Sequence, residues 1–284
     1  MNTTAAPNGV NEAVIKASEL PVLPVTTQKV LGLMSDPDVS IEKIKRLVIT
    51  DPGLATKILK VANSAFYGGN RNIQNLSQAI LRLGLNAVRS IVVATSMKNV
   101  YKKFGLTEKL LWEQLIGSAL ASNIVARHTR FADPEDAFIG GLLHDVGKVV
   151  LNNEFPEIFA NVMESVYNDG VPFSVAEMEH FGFTQRKVGA AVVKKWGFPE
   201  SLEALLLHFD DPEYLAHERD MFNLVAVIKL SDRMCQKIGM GWRKPGGDEV
   251  DFGDLPEIIG ICDEDVEALL QNVQISFAEG MDLY

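Results

Sequence analysis

His144 and Asp145 stand side by side at the end of the apolar run Gly141-Leu142-Leu143, and Val146-Gly147-Lys148 follows them. An imidazole nitrogen and a carboxylate oxygen at adjacent positions can ligate one divalent cation. Asp232 lies in another apolar stretch, within Lys229-Leu230-Ser231-Asp232-Arg233, and His208 closes the run Leu205-Leu206-Leu207. A carboxylate framed by so much apolar sequence is costly to bury unless it is paired or metal-bound. Any one of these residues alone reads as a satisfied core group or a helix cap. Together, His144, Asp145 and Asp232 predict one shared polar cluster, with His208 as a further candidate ligand. The cofactor such a cluster would take is a single, weakly held divalent transition metal.

The elements that must carry these residues all read as helices. Ser40 can cap a helix bearing Ile41, Ile44, Leu47 and Val48 on one side. Asp51-Pro52 is a start signal, an N-cap acid followed by proline at the first helical position. Leu54, Ile58, Val61 and Ala62 follow at helical spacing, and Gly68-Gly69-Asn70 ends that element. Ser77 and Asn86 are expected to open two further helices, the first stopping near Gly84. A long helix runs from about Glu108 to His128, and Asp133-Pro134-Glu135 starts the next, which leads into His144. Further helices are expected over 154–168, 174–179, 184–196, 199–208 and 223–238, the last containing Asp232. Residues 243–256 read as a Gly/Pro/Asp-rich loop, and a final amphipathic helix starts at Asp263. Val149-Val150-Leu151 is the best short strand candidate, though it sits at the end of a helix. Leu20-Pro21-Val22-Leu23-Pro24 forces an extended or turning entry after a frayed start that holds a short helix over 11–17. There is no βαβ rhythm, tandem repeat or low-complexity tract.

The fold class is therefore all-α, in two lobes: a flexible start over 1–19, an N-terminal helical lobe over 20–105 and a second lobe over 106–284, with Gly105-Leu106-Thr107 as the boundary. The chain has 284 residues, of which 47% are hydrophobic, enough for a substantial core. Its formal net charge is −10, with a pI near 5.1, which argues against nucleic acid or an anionic membrane as partner. Cys235 and Cys262 form no CxxC pair and read as free thiols in a reducing cytoplasm. The start lacks the pattern of a signal peptide, and no stretch has the roughly 18 uninterrupted apolar residues of a membrane span.

The segments Leu111-Trp112-Glu113-Gln114 and His144-Asp145-Val146-Gly147-Lys148, followed by Asp232, resemble the HD superfamily of metal-dependent phosphohydrolases. The N-terminal segments sharpen this. Leu20-Pro21-Val22-Leu23-Pro24, Asp51-Pro52-Gly53-Leu54, Asn63-Ser64-Ala65-Phe66-Tyr67 and Ala79-Ile80-Leu81-Arg82-Leu83-Gly84 together resemble the HDOD family, the HD-related output domains. Gly182-Phe183-Thr184-Gln185 and Trp196-Gly197-Phe198-Pro199 fit too, and the resemblance covers about residues 20–240. It implies that His144, Asp145 and Asp232 match the family's metal-binding pattern, while its first histidine is replaced by Gln114. Compared with the related HD-GYP phosphodiesterases, Gln185 replaces another histidine, and a histidine pair falls on His208-Phe209, so one member is kept. An amide oxygen is a poor ligand for a transition metal and a phenyl ring is none. Lys148 has two readings: a contact to a substrate phosphate, or an exposed lysine complementing a helix end.

The resemblance implies a non-enzymatic module of bacterial signal transduction, built on a degenerate HD-type site and acting on a signalling protein partner as a monomer or weak dimer. Two alternatives stand beside it. One is a metal-dependent phosphohydrolase with an altered single-metal site, in which Lys148 steadies the phosphate. The other is a sensor that binds a nucleotide or anion without turnover.

Overall fold

In a computed structural model of the chain, which describes residues 9–18, 23–34, 39–68, 73–241, 250–280 and 283, every regular element is helical. The polar start before Gly9, the entry at Leu20-Pro21-Val22, the stop at Gly69-Asn70 and the loop from Arg243 to Glu249 lie outside the described residues. The first helix, α1 (Val10–Ser18), agrees with the short helix expected there. The chain divides into two compact units: one gathers Val22 to Val100 with the chain end from Gln274, the other gathers Tyr101 to Val273 with α1.

The smaller unit is built from α2 (Val25–Met34), α3 (Ile41–Val48), α4 (Pro52–Ala62) and α5 (Leu76–Met97). Its capping follows the sequence signals. The Ser40 hydroxyl accepts the Lys43 N–H at the start of α3, and Asp51 Oδ1 accepts the Leu54 N–H at 3.0 Å at the start of α4. Ile44, Val48, Leu54, Ile58 and Val61 are buried, as their spacing demands. α5 holds the expected break: its two helical halves meet at Gly84, whose non-helical φ of 80° favours a residue without Cβ, though Asn75, not Ser77, caps the first half. Leu76–Val100 has the length and mean hydropathy (1.3) of a membrane span. Its break at Gly84 and the burial of 56% of that window inside the protein are features of a core helix. α2, where the sequence signalled only an entry turn, is also helical.

The larger unit carries the candidate site. It comprises α6 (Leu106–Thr129), α7 (Pro134–Leu143), α8 (Val146–Glu154), α9 (Pro156–Asp169), α10 (Phe173–Phe181), α11 (Arg186–Lys195), α12 (Glu200–Leu207), α13 (Arg219–Ile238), α14 (Leu255–Ile259) and the part of α15 (Asp263–Gly280) up to Val273. Val149-Val150-Leu151, the strand candidate, lies in the middle of α8, and the short helix α14 begins in the last two residues of the stretch expected to be loop. Cys235 is buried and Cys262 exposed, both as free thiols.

α7 packs against α6 and α13. Asp133 starts it by accepting the Glu135 and Asp136 N–H groups at 2.9 and 3.0 Å, with Pro134 in the first turn. Glycines let it come close to its neighbours. A Cβ on Gly141 would sit 2.6 Å from both the Ser118 carbonyl oxygen and the Ser122 hydroxyl of α6, and one on Gly140 would meet Ile228 of α13. Gly147, at the start of α8, abuts the backbone and side chain of Gln185 in the same way. The polar junction between α7 and α8 is therefore pressed against α6 and the start of α11 by backbone-to-backbone approach, and against the Ile228 side chain of α13.

That closeness makes a stability prediction. Gly141→Ala should lower the unfolding free energy by about 1–3 kcal/mol, because the contacted atom is backbone and cannot yield. Gly32→Ala in α2, where an added methyl meets nothing within 4 Å, should raise it by up to about 1 kcal/mol through helix propensity. Denaturant melts of the two variants check the contrast, and equal effects would refute the close-approach argument.

Candidate functional site

His144 and Asp145 form the whole junction between two helices: His144 closes α7 and Asp145 opens α8. His144 Nδ1 donates to the Gly141 carbonyl at 2.7 Å, one turn back in its own helix. This bond fixes the tautomer and leaves Nε2 facing inward. Nε2 stands 3.4 Å from Asp145 Oδ2 and 3.5 Å from Asp232 Oδ1, and it is a buried nitrogen with no hydrogen-bond partner. The structure thus brings His144, Asp145 and Asp232 together, with one ligand atom from each lying within 4.8 Å of the others. This cluster can coordinate one divalent cation. With metal–ligand bonds of about 2.0–2.2 Å, a tetrahedral ion separates its ligands by about 3.3–3.6 Å, and the two distances at Nε2 match that edge.

Hydrogen-bond donors take up the remaining capacity of these carboxylates. Gln114 of α6 donates its amide N–H to Asp232 Oδ1, and Gln236 donates to Asp232 Oδ2 at 2.7 Å. Gln185 donates to Asp145 Oδ1 and to the His144 carbonyl, both at 3.0 Å. Phe209 supplies no ligand and packs its ring against His144, with centroids 5.1 Å apart. At positions 114, 185 and 209, where the resemblance implies further histidines, this chain has two amide donors and a phenyl ring.

Two cations complete the surroundings of Asp145. Lys148 Nζ lies 2.6 Å from Asp145 Oδ2, and the lysine is only 5% exposed. The reading of Lys148 as an exposed helix-end residue is therefore corrected: Asp145, one turn away at i−3, draws its ammonium inward, and the Phe173 ring covers it at 3.8 Å from the centroid. Arg186, the first residue of α11, donates to the His144 carbonyl at 2.9 Å and lies 3.4 Å from Asp145 Oδ1. It also forms a two-pronged pair with Asp210, at 2.9 Å for each bond, and stacks over Phe209.

These charges set the protonation states. Burial alone would raise the Asp145 carboxyl, but His144, Lys148 and Arg186 hold it well below the usual carboxylate range. Burial lowers His144, yet Asp145 and Asp232 outweigh that and raise it above its ordinary value. Lys148 and Arg186 thus supply two positive charges beside the Asp145 carboxylate, and Arg186 also pairs with Asp210.

His208 does not join the cluster. It stacks face to face on Tyr214, with ring centroids 3.8 Å apart, while its neighbour Phe209 points at the site. Several residues of the site escaped the sequence reading, among them Arg186, Glu177, Asp210, Gln236 and Phe173. Arg186 carried a usable signal, since a basic residue in the first turn of a helix opposes the helix dipole and calls for an anionic partner. Glu177 did too: it shares the buried face of α10 with Phe173, Ala176 and Phe181. Asp210 gave none, because Asp210-Asp211-Pro212 reads as an ordinary helix separator.

Comparisons with known proteins show the family and the fold. The family model of the HDOD domain matches residues 20–212. The crystal structure of an HDOD domain protein with unknown function from Geobacter sulfurreducens superposes with a TM-score of 0.72 at 25% identity, covering 95% of this chain and 96% of that one. A crystal structure from Shewanella amazonensis SB2B gives a TM-score of 0.72 over 95% and 96% of the two chains, and at 21% identity it speaks to the fold alone. An uncharacterized protein of Treponema pallidum (strain Nichols) is 26% identical over 220 residues, or 77% of this chain; the chain spans 43% of that relative's length.

Glu177 yields a pH prediction. Burial pushes its carboxyl up from 4.5 to about 7, against the opposing influence of Lys148 and the Gln185 N–H. One oxygen accepts that N–H at 3.0 Å and the other has no hydrogen-bond partner. In the unfolded chain the group ionises near its ordinary value, so the unfolded state sheds its proton first as pH rises. Stability should fall between about pH 4.5 and about pH 7 and stay lowered above. Glu177→Gln should flatten that decline and exceed the wild type by about 3 kcal/mol near pH 8, with little difference near pH 4. Melts across this range check it, and a variant that keeps the wild-type slope would refute it.

Proposed function

The chain belongs to the HDOD family, and from that premise we propose that it is a non-enzymatic output module of bacterial signal transduction whose HD-type site serves as a self-satisfied structural core. One observation carries this reading. The atoms that replace the missing histidines donate hydrogen bonds to the carboxylates a metal would need, from Gln114 to Asp232 and from Gln185 to Asp145. A catalytic metal centre needs firm ligation and an open position for an activated water. Here Lys148, Arg186 and the two amides already engage the carboxylates. In this reading the partner is a signalling protein met in the bacterial cytoplasm.

A second reading draws support from His144 Nε2, which is buried without a partner between two carboxylate oxygens. It makes the chain a single-metal phosphohydrolase, with His144, Asp145 and Asp232 as ligands and Lys148 near the phosphate. When bound, the metal would polarise a phosphate and lower the pKa of a water. A nucleotide or anion sensor draws less support, because Lys148 and Arg186 are both paired with carboxylates.

The deciding measurement is metal content of the purified protein together with hydrolysis of bis(p-nitrophenyl) phosphate in the presence of Mn²⁺, Co²⁺ or Ni²⁺. The expected result is turnover no faster than the protein-free control. Metal-dependent turnover that disappears in an Asp145→Ala, Asp232→Ala double variant would make the chain an enzyme.

A further inference from the structure

We propose that the groove between α2 and α3 of the smaller unit is a docking site for an acidic amphipathic helix of a protein partner. The inference deepens the preceding reading and rests on it, since it gives the module a surface on which its partner is met.

Charge singles out this part of the chain. Residues 22–100 carry ten lysines and arginines against four aspartates and glutamates, a net charge of +6, in a chain whose total is −10. The remainder therefore carries −16. An asymmetry of this size steers an anionic partner to the basic stretch and away from the rest. Within that stretch α2 and α3 pack together, and a groove of about 530 Å³ lies between them, its lining including Lys29, Gly32, Leu33, Lys43, Arg46 and Leu47. Leu33 and Leu47 are half-buried and supply apolar surface, while the three cations are exposed around it. Glu42 lies 3.7 Å from Arg46, an exposed i,i+4 pair of little strength. Val25 at the start of α2 and Ile49 at the end of α3 add exposed apolar surface on the same two helices.

Gly32 is the second observation. It lies in the last turn of α2 without a left-handed φ, and a Cβ placed on it would meet nothing within 4 Å among the described residues. Glycine in a helix costs stability, and neither backbone conformation nor internal packing calls for it at this position. A bare glycine on a helix surface lets another backbone come close, as a helix laid into the groove would. Together these features select the occupant. The leucines and the glycine receive the apolar face of a helix, and the surrounding cations meet acidic residues on its flanks. α2 has ten residues and α3 eight, so the groove accommodates about two to three helical turns. A nucleic acid strand fits less well, because the lining holds no aromatic ring on which a base would stack.

The test is fluorescence anisotropy of a labelled synthetic helix of about four turns, with leucine at every third or fourth position and alanine and glutamate elsewhere, titrated with the full chain. The expected result is saturable binding with a Kd below about 1 mM, weakened by added salt. No binding by the wild type at that concentration overturns the inference, as does equal binding of a peptide with lysine in place of each glutamate. The double variant Lys43→Glu, Arg46→Glu reverses two exposed charges and should weaken binding about tenfold or more. Gly32→Trp fills the groove with no change of charge and should weaken it to a similar extent. Full affinity in either variant places the peptide elsewhere and overturns the inference. Should the charge-reversed variant fail to fold, Gly32→Trp decides. A single-stranded oligonucleotide that binds more tightly than the peptide and displaces it would make the occupant a nucleic acid. Self-association of the wild type that Gly32→Trp abolishes would make it a second copy of this chain. Either result overturns the inference. The two readings fail separately. Hydrolysis of bis(p-nitrophenyl) phosphate by the wild type removes the non-enzymatic reading and leaves peptide binding at the groove as measured, whereas absent peptide binding removes the groove and leaves the non-enzymatic reading intact.

Discussion

The buried carboxylate of Asp145 is the constraint around which the larger unit is arranged. An isolated carboxylate in such a place would cost several kcal/mol. Four side chains from two helices and the α7–α8 junction meet that cost: Lys148 on α8, Gln185 and Arg186 at the start of α11, and His144 beside it. Asp145 opens α8 without capping it. Its side chain is turned away from the helix N–H groups towards these partners, so a local capping interaction is given up for tertiary ones.

Close helix packing makes this arrangement possible. Gly141 lets α7 lie on the backbone of α6, and Gly147 lets α8 lie on the start of α11. These contacts bring Gln185 and Arg186 within hydrogen-bond distance of a two-residue junction. A larger residue at either glycine would push apart the helices that hold the charges. Packing and electrostatics are thus one design in this unit, and the polar cluster is as much a part of the core as the aliphatic side chains around it.

The same arrangement bears on activity. A metal-dependent hydrolase keeps its carboxylates available and lets an ion provide their countercharge. This chain keeps the His-Asp pair and the distant aspartate, but supplies countercharge from lysine and arginine and fills ligand positions with amides and a phenyl ring. Much of the unit packs against this geometry, since α6, α11 and α13 all supply contacts to it.

Much of this was legible in the residues in order. The caps at Ser40, Asp51 and Asp133, the spacing of Leu54, Ile58 and Val61, and the absence of any strand rhythm determined an all-α chain. The apolar framing of His144, Asp145 and Asp232 was enough to predict that they meet, because uncompensated carboxylates are too costly to bury separately. Local rules did not settle where Lys148 goes. Its i+3 spacing from Asp145 allows a pair, but its burial depends on Phe173 of α10. Nor did they show that Arg186 and Gln185, some 40 residues on, supply the other partners of Asp145, or that His208 turns to Tyr214 while Phe209 faces the site. Helix caps and hydrophobic period are short-range effects recorded within a few residues. Which charge neutralises which depends on helices that touch only after folding, so only the tertiary structure decided it.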